Sequence, residues 1–592
     1  MKKAHRYNLG IVGNCNYIAY VRDDSAVEWL CWPHMDSSFI FGSLLDEEKG
    51  GSFKIVPEKK FTTTQKYVEN TAILVTSFVC EDGEFDVIDF APRFLNHDRF
   101  HKPIQFFRKI KRVKGQPRIK IICDPRGNYG EMKPDVYVGS NHISYKNLHF
   151  PVRLTTNATK AYVVENRSFL LTEDIYLVLA GGEPLEASLR ETYEEFYYKT
   201  LRYWRSWVKE TYIPQLFQEE IIRSAITIKM HQYEDTGAII ASGTTSLPEY
   251  PGSGRNWDYR YCWLRDTYFS LQAMNILGHF EEAERYLHFI QNIAIDIKKL
   301  QPVYRINGET DLTERVADLN GFQGNGPVRI GNAAYTQKQF DSFGQVILSI
   351  YPLYMDERII HREQMMSLEI IRSLLKEMES VMDEPDAGIW EFRGKKQKHI
   401  GTYVFHWAGA KASVKIAKRY GDLELEELAL KIVKLSEENI EKCYSTEYEC
   451  YMSDQTISYF DATGFLLIVM NYLSPEDERT HKHFQRLQKE LLSNEGMIYR
   501  YRAEDDFGDT HATFLICTYW YIECLICLGF LKEAEDGLAN IINHSNHLGL
   551  LSEDLSSEDG GQWGNFPQTY SHVGLINTVC RLARKRDRMI FE

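Results

Sequence analysis

Between Arg255 and Asp266 the chain reads Arg-Asn-Trp-Asp-Tyr-Arg-Tyr-Cys-Trp-Leu-Arg-Asp, with two Trp, two Tyr, three Arg and two Asp in twelve residues. Pro251, Gly252 and Gly254 just upstream mark a loop. From Asp266 the apolar spacing of Phe269, Leu271, Met274 and Leu277, with Gly278 at a C-terminal cap position, predicts a helix. Aromatic and charged side chains therefore crowd at the mouth of a helix. That is a poor way to build a core, because every buried Arg or Asp must find a partner. It suits a neutral, hydroxyl-rich ligand such as a sugar, whose C–H faces stack on aromatic rings while Asp and Arg bond its hydroxyls. The alternative is a partly buried Arg–Asp network that pins a loop.

Two further loops carry carboxyls. Gly388-Ile-Trp-Glu-Phe-Arg-Gly394 sets Glu391 beside Trp390, ahead of the helix that contains Trp407 and Val414. A carboxyl against an indole is desolvated and becomes a general acid near neutral pH. The plainer alternative pairs Glu391 with Arg393 or a backbone amide. Leu550-Leu-Ser-Glu-Asp-Leu-Ser-Ser-Glu-Asp-Gly-Gly561 places Glu553 after an apolar pair, whereas Glu558 and Asp559 sit in a solvated turn. Carboxyls on two separate loops can flank a glycosidic bond, one protonating the leaving oxygen and the other activating water. Ser571-His572 lacks the G-x-S-x-G elbow of a serine hydrolase, so His572 reads as structural. Asn320 to Asn332 is Gly-rich, but no strand leads in and Pro327 interrupts it, which excludes a nucleotide loop and leaves Arg329 and Asn332 projecting. In Tyr499-Arg-Tyr-Arg-Ala-Glu-Asp-Asp506, Arg502 either clamps a ligand hydroxyl or pairs with Glu504.

The elements that must position these loops fall into two groups. Residues 1–185 contain short β-branched and aromatic runs such as Arg118–Cys123, Phe85–Phe90 and Asp174–Leu179, which predict an antiparallel β-sandwich. Residues 186–211 close a Gly-free amphipathic segment that starts at Glu183 and reads as a linker helix. Residues 212–592 have a helical period nearly throughout, beginning with Phe217, Ile221, Ile222, Ala225 and Ile228. Leu277-Gly-His-Phe-Glu-Glu-Ala-Glu-Arg-Tyr-Leu287 returns as Leu528-Gly-Phe-Leu-Lys-Glu-Ala-Glu-Asp-Gly-Leu538, and more loosely from Tyr420. Each copy puts a helix-ending Gly before a fresh amphipathic helix, a repeated αα-hairpin. Long aromatic loops between such hairpins favour a closed toroid with a site at one end.

At 592 residues the chain exceeds one hydrophobic core, and 44% hydrophobic with 26% charged residues describes a soluble globular protein. A net charge of −14 without a basic stripe argues against nucleic acid. No apolar run approaches the ~20 residues that span a bilayer, and no signal peptide follows Met1. The 11 scattered cysteines, including the C-x-x-C of Cys524 and Cys527, read as buried thiols of a cytoplasmic protein and not as a metal site.

Taken together and in order, these stretches resemble the glucoamylase family of glycoside hydrolases, family fifteen, in its bacterial and archaeal branch with an N-terminal β-sandwich. The likeness runs from Tyr7-Asn-Leu-Gly-Ile-Val-Gly-Asn14 and Trp29-Leu-Cys-Trp-Pro33 through Thr244–Glu249, Trp257–Asp266 and Pro327–Ala334 to Gly564-Asn-Phe-Pro-Gln568. The resemblance implies an (α/α)6 barrel that takes the non-reducing end of an α-glucoside and releases β-glucose without a cofactor or metal. By its motifs Glu391 matches the general acid and Glu553 the general base. Arg265 and Asp266 match the pair that holds the terminal glucosyl hydroxyls, with Trp263 on the same wall and Arg502 a looser match to a sugar-binding Arg. Trp257, Trp390 and Tyr570 complete the expected sugar contacts. Phe392 replaces a family Glu, and His511-Ala512 replaces a common Glu-Gly, so contacts to the leaving sugar differ.

The expected activity is inverting exo-hydrolysis of short α-glucans or oligosaccharides, with α,α-trehalase on the same scaffold as the alternative. A catalytically silent glucan-binding protein, possible as a homo-oligomer like the enzyme, is a second class. A disaccharide phosphorylase is a third, and a carboxylate at Glu553 counts against it because phosphate would replace the activated water.

Overall fold

The computed structural model describes residues 4–357 and 367–591. The N-terminal part is two antiparallel sheets. One has the order Leu9–Gly13, Ile18–Arg22, Val27–Cys31, Phe53–Pro57, Arg118–Cys123, Phe169–Leu170, with Phe39–Phe41 beside the third strand. The other has eight strands, Asp135–Val138, His142–Lys146, Val152–Thr156, Ile175–Ala180, Gln105–Gly115, Gly83–Phe90, Leu74–Cys80 and Phe61–Tyr67. Alternation aims one set of side chains between the sheets, as with the stacked Phe78 and Phe85 at 4.5 Å. Ile175–Ala180 does not alternate and is buried throughout. Its sheet is covered on the outer face as well, by the helix Leu189–Glu210, whose Tyr193 meets Phe90, Phe107 and Tyr176. That helix starts later than the Gly-free composition predicts, because Ser188 accepts the Glu191 N–H as its N-cap.

The C-terminal part is a closed double ring. Leu264–Ile276, Asp341–Met355, Ile400–Tyr420, Leu466–Val469 with the turn Ala462–Phe465 ahead of it, Leu515–Cys527 and Thr569–Phe591 touch in cyclic order, and the last returns to the first. Gln218–His231, Phe280–Ile293, Leu368–Val381, Leu423–Glu441, Glu478–Leu491 and Leu531–Asn543 pack outside them. The echoed Leu-Gly segments are the inner-to-outer turns. Gly278, Gly421 and Gly529 have φ of +90°, +69° and +88°, the left-handed geometry that ends one helix and frees the next. Small residues set the tightest inner contact. A Cβ on Gly344 would lie 2.1 Å from the Phe405 carbonyl oxygen, so two inner helices meet backbone to backbone.

The sheets buttress the loops of the ring. Trp29 donates its indole N–H to the Gly243 carbonyl at 2.8 Å, and Tyr7 its hydroxyl to that of Gly564 at 2.9 Å. Buried Arg260 reaches back to the Ser37 carbonyl and the Tyr129 hydroxyl.

Candidate active site

Five of the six loops that lead into inner helices converge on one cavity. They contribute Glu249 to Asp266, Asn332 to Gln337, Ile389 to Arg393, Arg500 to Phe507, and Glu553 with Gln568 and Tyr570. Every lining residue lies between Ala241 and Tyr570, so the sheets support the cavity from behind without lining it. The inner helices aim their N-termini at it, which favours electron-rich oxygens there. The sixth loop acts one layer down, where Asp461 accepts the Trp390 indole N–H at 2.8 Å.

Glu391, Glu553, Trp257, Trp263, Arg265, Asp266, Trp390 and Tyr570 all line the cavity. Arg502 does not. The chain bridges to Asp461 at Tyr501 and then bends, which turns Arg502 to solvent, its guanidinium 4.9 Å from the Tyr499 ring. The cation inside the cavity is Arg500, two residues earlier, paired with Glu249 at 2.6 Å.

The two carboxyls are held by different hands. Trp263 donates its indole N–H to Glu391 at 2.8 Å, and Arg265 donates to the same oxygen at 3.2 Å. The indole that touches this carboxyl is therefore Trp263 and not its chain neighbour Trp390. Glu391 has φ of +63°, a left-handed backbone rarely adopted by Glu and costing of order 1–3 kcal/mol. Its carbonyl accepts from the Gln337 side chain at 3.0 Å, and its N–H donates to Gly388 at 3.2 Å. Beyond it, Asp506 accepts the Gly394 N–H at 2.9 Å and that of Arg393. Arg393 turns to Glu314, not Glu391, and its guanidinium lies 4.6 Å from the Trp257 ring.

Glu553 is 1% exposed and accepts the Tyr259 hydroxyl at 2.7 Å. Burial, with Glu249 nearby, pushes it up to about 8, against the pull of Arg500. Asp266, buried in the first turn of its helix, is likewise pushed up by burial to about 6, with Arg265 opposing. His572 is structural. It faces the Ser224 hydroxyl at 2.9 Å and accepts the Leu551 N–H at 3.2 Å, which anchors the Glu553 loop. Ser571 serves the same loop by donating to the Ser552 carbonyl. Arg329 also works behind the wall, bonding the Gly254 and Asn256 carbonyls, while Asn332 lines the cavity.

Arg500, Glu249 and Tyr259 lie in stretches that stand out by composition, but composition alone does not single them out. Arg500 and Arg502 share one short run, and only the bend after Tyr501 separates inside from outside. Among the described residues no group of three or more His, Cys, Asp or Glu could hold a metal ion, and no helix is long and apolar enough to cross a membrane.

Known proteins agree with this architecture. A trehalase of Thermoplasma volcanium is 30% identical over 97% of this chain and 93% of its own length. A trehalase of Mycolicibacterium smegmatis is 28% identical over 98% and 91%. A bacterial glucoamylase complexed with acarbose superposes with a TM-score of 0.68 at 14% identity, covering 98% of this chain and 94% of that one, and so shares the fold. Residues 3–172 match the trehalase-like N-terminal domain. With residues 216–529 and 528–580 matching the catalytic pattern, this glycosidase belongs to the glycosyl hydrolases of family 15.

Proposed function

We propose that the protein hydrolyses α,α-trehalose with inversion, Glu391 acting as general acid and Glu553 as general base. The observation that carries the chemistry is that these two carboxyls, from loops far apart in the chain, line one cavity. Each is fixed by its own aromatic donor, Trp263 or Tyr259, so neither neutralises the other. Protonated Glu391 gives its hydrogen to the glycosidic oxygen as the C1–O bond breaks. Glu553 takes a proton from a water that attacks C1 from the opposite face. The attacked sugar leaves as β-glucose and the leaving sugar, whose own C1–O bond stays intact, as α-glucose, and Glu391 and Glu553 exchange protons with solvent to reset. An inverting pair needs carboxyls about 6.5–9.5 Å apart to admit that water. Arg265 and Asp266 hold the terminal sugar, together with the Tyr570 hydroxyl, which is buried without a hydrogen-bond partner among the described residues.

Two observations support a short substrate. The whole-length relatives are trehalases, which ranks this reading above the glucoamylase-like one. The wall around Trp257 is also tightly packed. Arg393 and Arg329 each lie 4.6 Å from the Trp257 ring, and Phe507 meets it edge-on at 5.1 Å. Arg255 ties the Phe507 loop down through Asp505, at 2.7 Å for one of its two bonds. The test is NMR of the anomeric protons in early turnover of trehalose, maltose, isomaltose and panose. Trehalose alone is expected to turn over, giving β- and α-glucose in equal amounts before mutarotation, because the leaving glucose keeps its α configuration. β-Glucose from maltose and panose instead would restore the glucoamylase-like reading, and α-glucose alone from trehalose would overturn inversion. Binding without turnover would leave a glucan-binding protein.

A further inference from the structure

Glu249, Glu553 and Asp554, none more than 2% exposed, share the surroundings of one guanidinium, that of Arg500. Arg500 commits to Glu249 at 2.6 Å and stands 3.8 Å from Asp554. Glu553 has the Tyr259 hydroxyl. Both oxygens of Asp554 are buried and bond nothing among the described residues. An ionised carboxylate so placed is costly, while a protonated one needs only an acceptor for its hydrogen. Asp554 Oδ2 and Glu553 Oε2 border one gap, each 2.8 Å from where a Cβ on Gly564 would stand, and Gly564, at φ +72°, has none. Glu553 is the acceptor that this gap offers. The other titratable groups facing Asp554 are Arg255, Tyr7 and Cys517, and Arg255 is already engaged by Asp505.

We propose that Asp554 is a positioning residue that stays protonated and donates to Glu553, so that Glu553 is the carboxyl of the pair that ionises. The inference rests on the assignment of Glu553 as the base. It also accounts for a base that burial would otherwise hold protonated near neutral pH. The burial-driven rise at both groups agrees with one proton shared by the pair.

The acidic limb of kcat/KM against pH reports the base in the free enzyme. In Asp554→Asn, neutral and still a donor, that limb is expected to superimpose on the unmodified enzyme. If Asp554 were ionised, removing its charge would move the limb to lower pH by about one unit or more, and the inference would fall. In Asp554→Leu the donor is lost. The limb then moves up by about one unit, and turnover at pH 6 drops about tenfold with KM little changed. An unmoved limb in that variant also overturns the inference. Should the Leu variant not fold, infrared difference spectroscopy decides. The neutral carboxylic acid band of the unmodified protein at pH 7 is expected to lose one group's intensity in Asp554→Asn. A spectrum without that difference refutes a protonated Asp554. Glu553→Gln tests the underlying assignment separately, since its outcome leaves the infrared band untouched.

Discussion

Tyr259 and Trp263 stand ring to ring, centroids 5.4 Å apart and planes inclined at 68°. Each donates to a different carboxyl, Tyr259 to Glu553 and Trp263 to Glu391. One five-residue segment thus positions two groups that are far apart in sequence. A shift of this segment would disturb both, so preorganisation of the pair depends on the loop between Pro251 and the first inner helix.

Replacing Glu391 by Gln keeps the volume and removes the transferable proton. Turnover of trehalose should fall by about 10²–10⁴ while glucose binding, measured by calorimetry, changes little. An unchanged kcat would remove Glu391 from the acid role.

Glu553→Gln should lower kcat by a comparable factor. Azide added to this variant should enter from the face that Glu553 serves and yield a β-glycosyl azide in place of β-glucose. Failure of azide to react, in a folded variant that still binds glucose, would count against an open site beside Glu553.

Asp266 couples function to stability. Its folded pKa, about 6, lies above the unfolded value of 3.8, so the native state holds this proton more tightly. The group is neutral and harmless below about pH 4, and its ionisation destabilises the fold as pH rises towards 6. Asp266→Asn should therefore melt higher than the unmodified protein at pH 7, by at most about 3 kcal/mol, with the difference vanishing at pH 4. The same variant should lose turnover, because the sugar bonds of Asp266 are expected to tighten in the transition state. A change in KM alone would make it a simple binding contact.

Arg500 and Arg502 provide a matched comparison. Arg500→Ala strips a buried carboxylate of its partner and should cost about 3–5 kcal/mol, read by denaturant unfolding, together with most activity. Arg502→Ala, at an exposed side chain, should stay within about 0.5 kcal/mol and keep near-normal kcat/KM. Equal effects would contradict the inward and outward placement of the two.

Much of the architecture is legible along the chain because it follows from local periodicity. Alternation marks the strands, the 3.6-residue period marks the ring helices, and the echoed glycines Gly278, Gly421 and Gly529 mark three of its turns. Glu391, Glu553, Arg265 and Asp266 stand out because charged groups beside aromatic ones are expensive to bury without purpose. Tertiary structure alone decided the partnerships. Trp263 takes Glu391 although Trp390 is its neighbour, Arg500 enters the cavity although Arg502 looked equivalent, and Asp554 joins Glu553 in the interior although Glu558 and Asp559 of the same loop stay wet. The physical reason is common to all three. Residue type records what a side chain can do, whereas burial, a bend after Tyr501 and the missing Cβ of Gly564 depend on which chain segments come together, and those meet only in the folded ring.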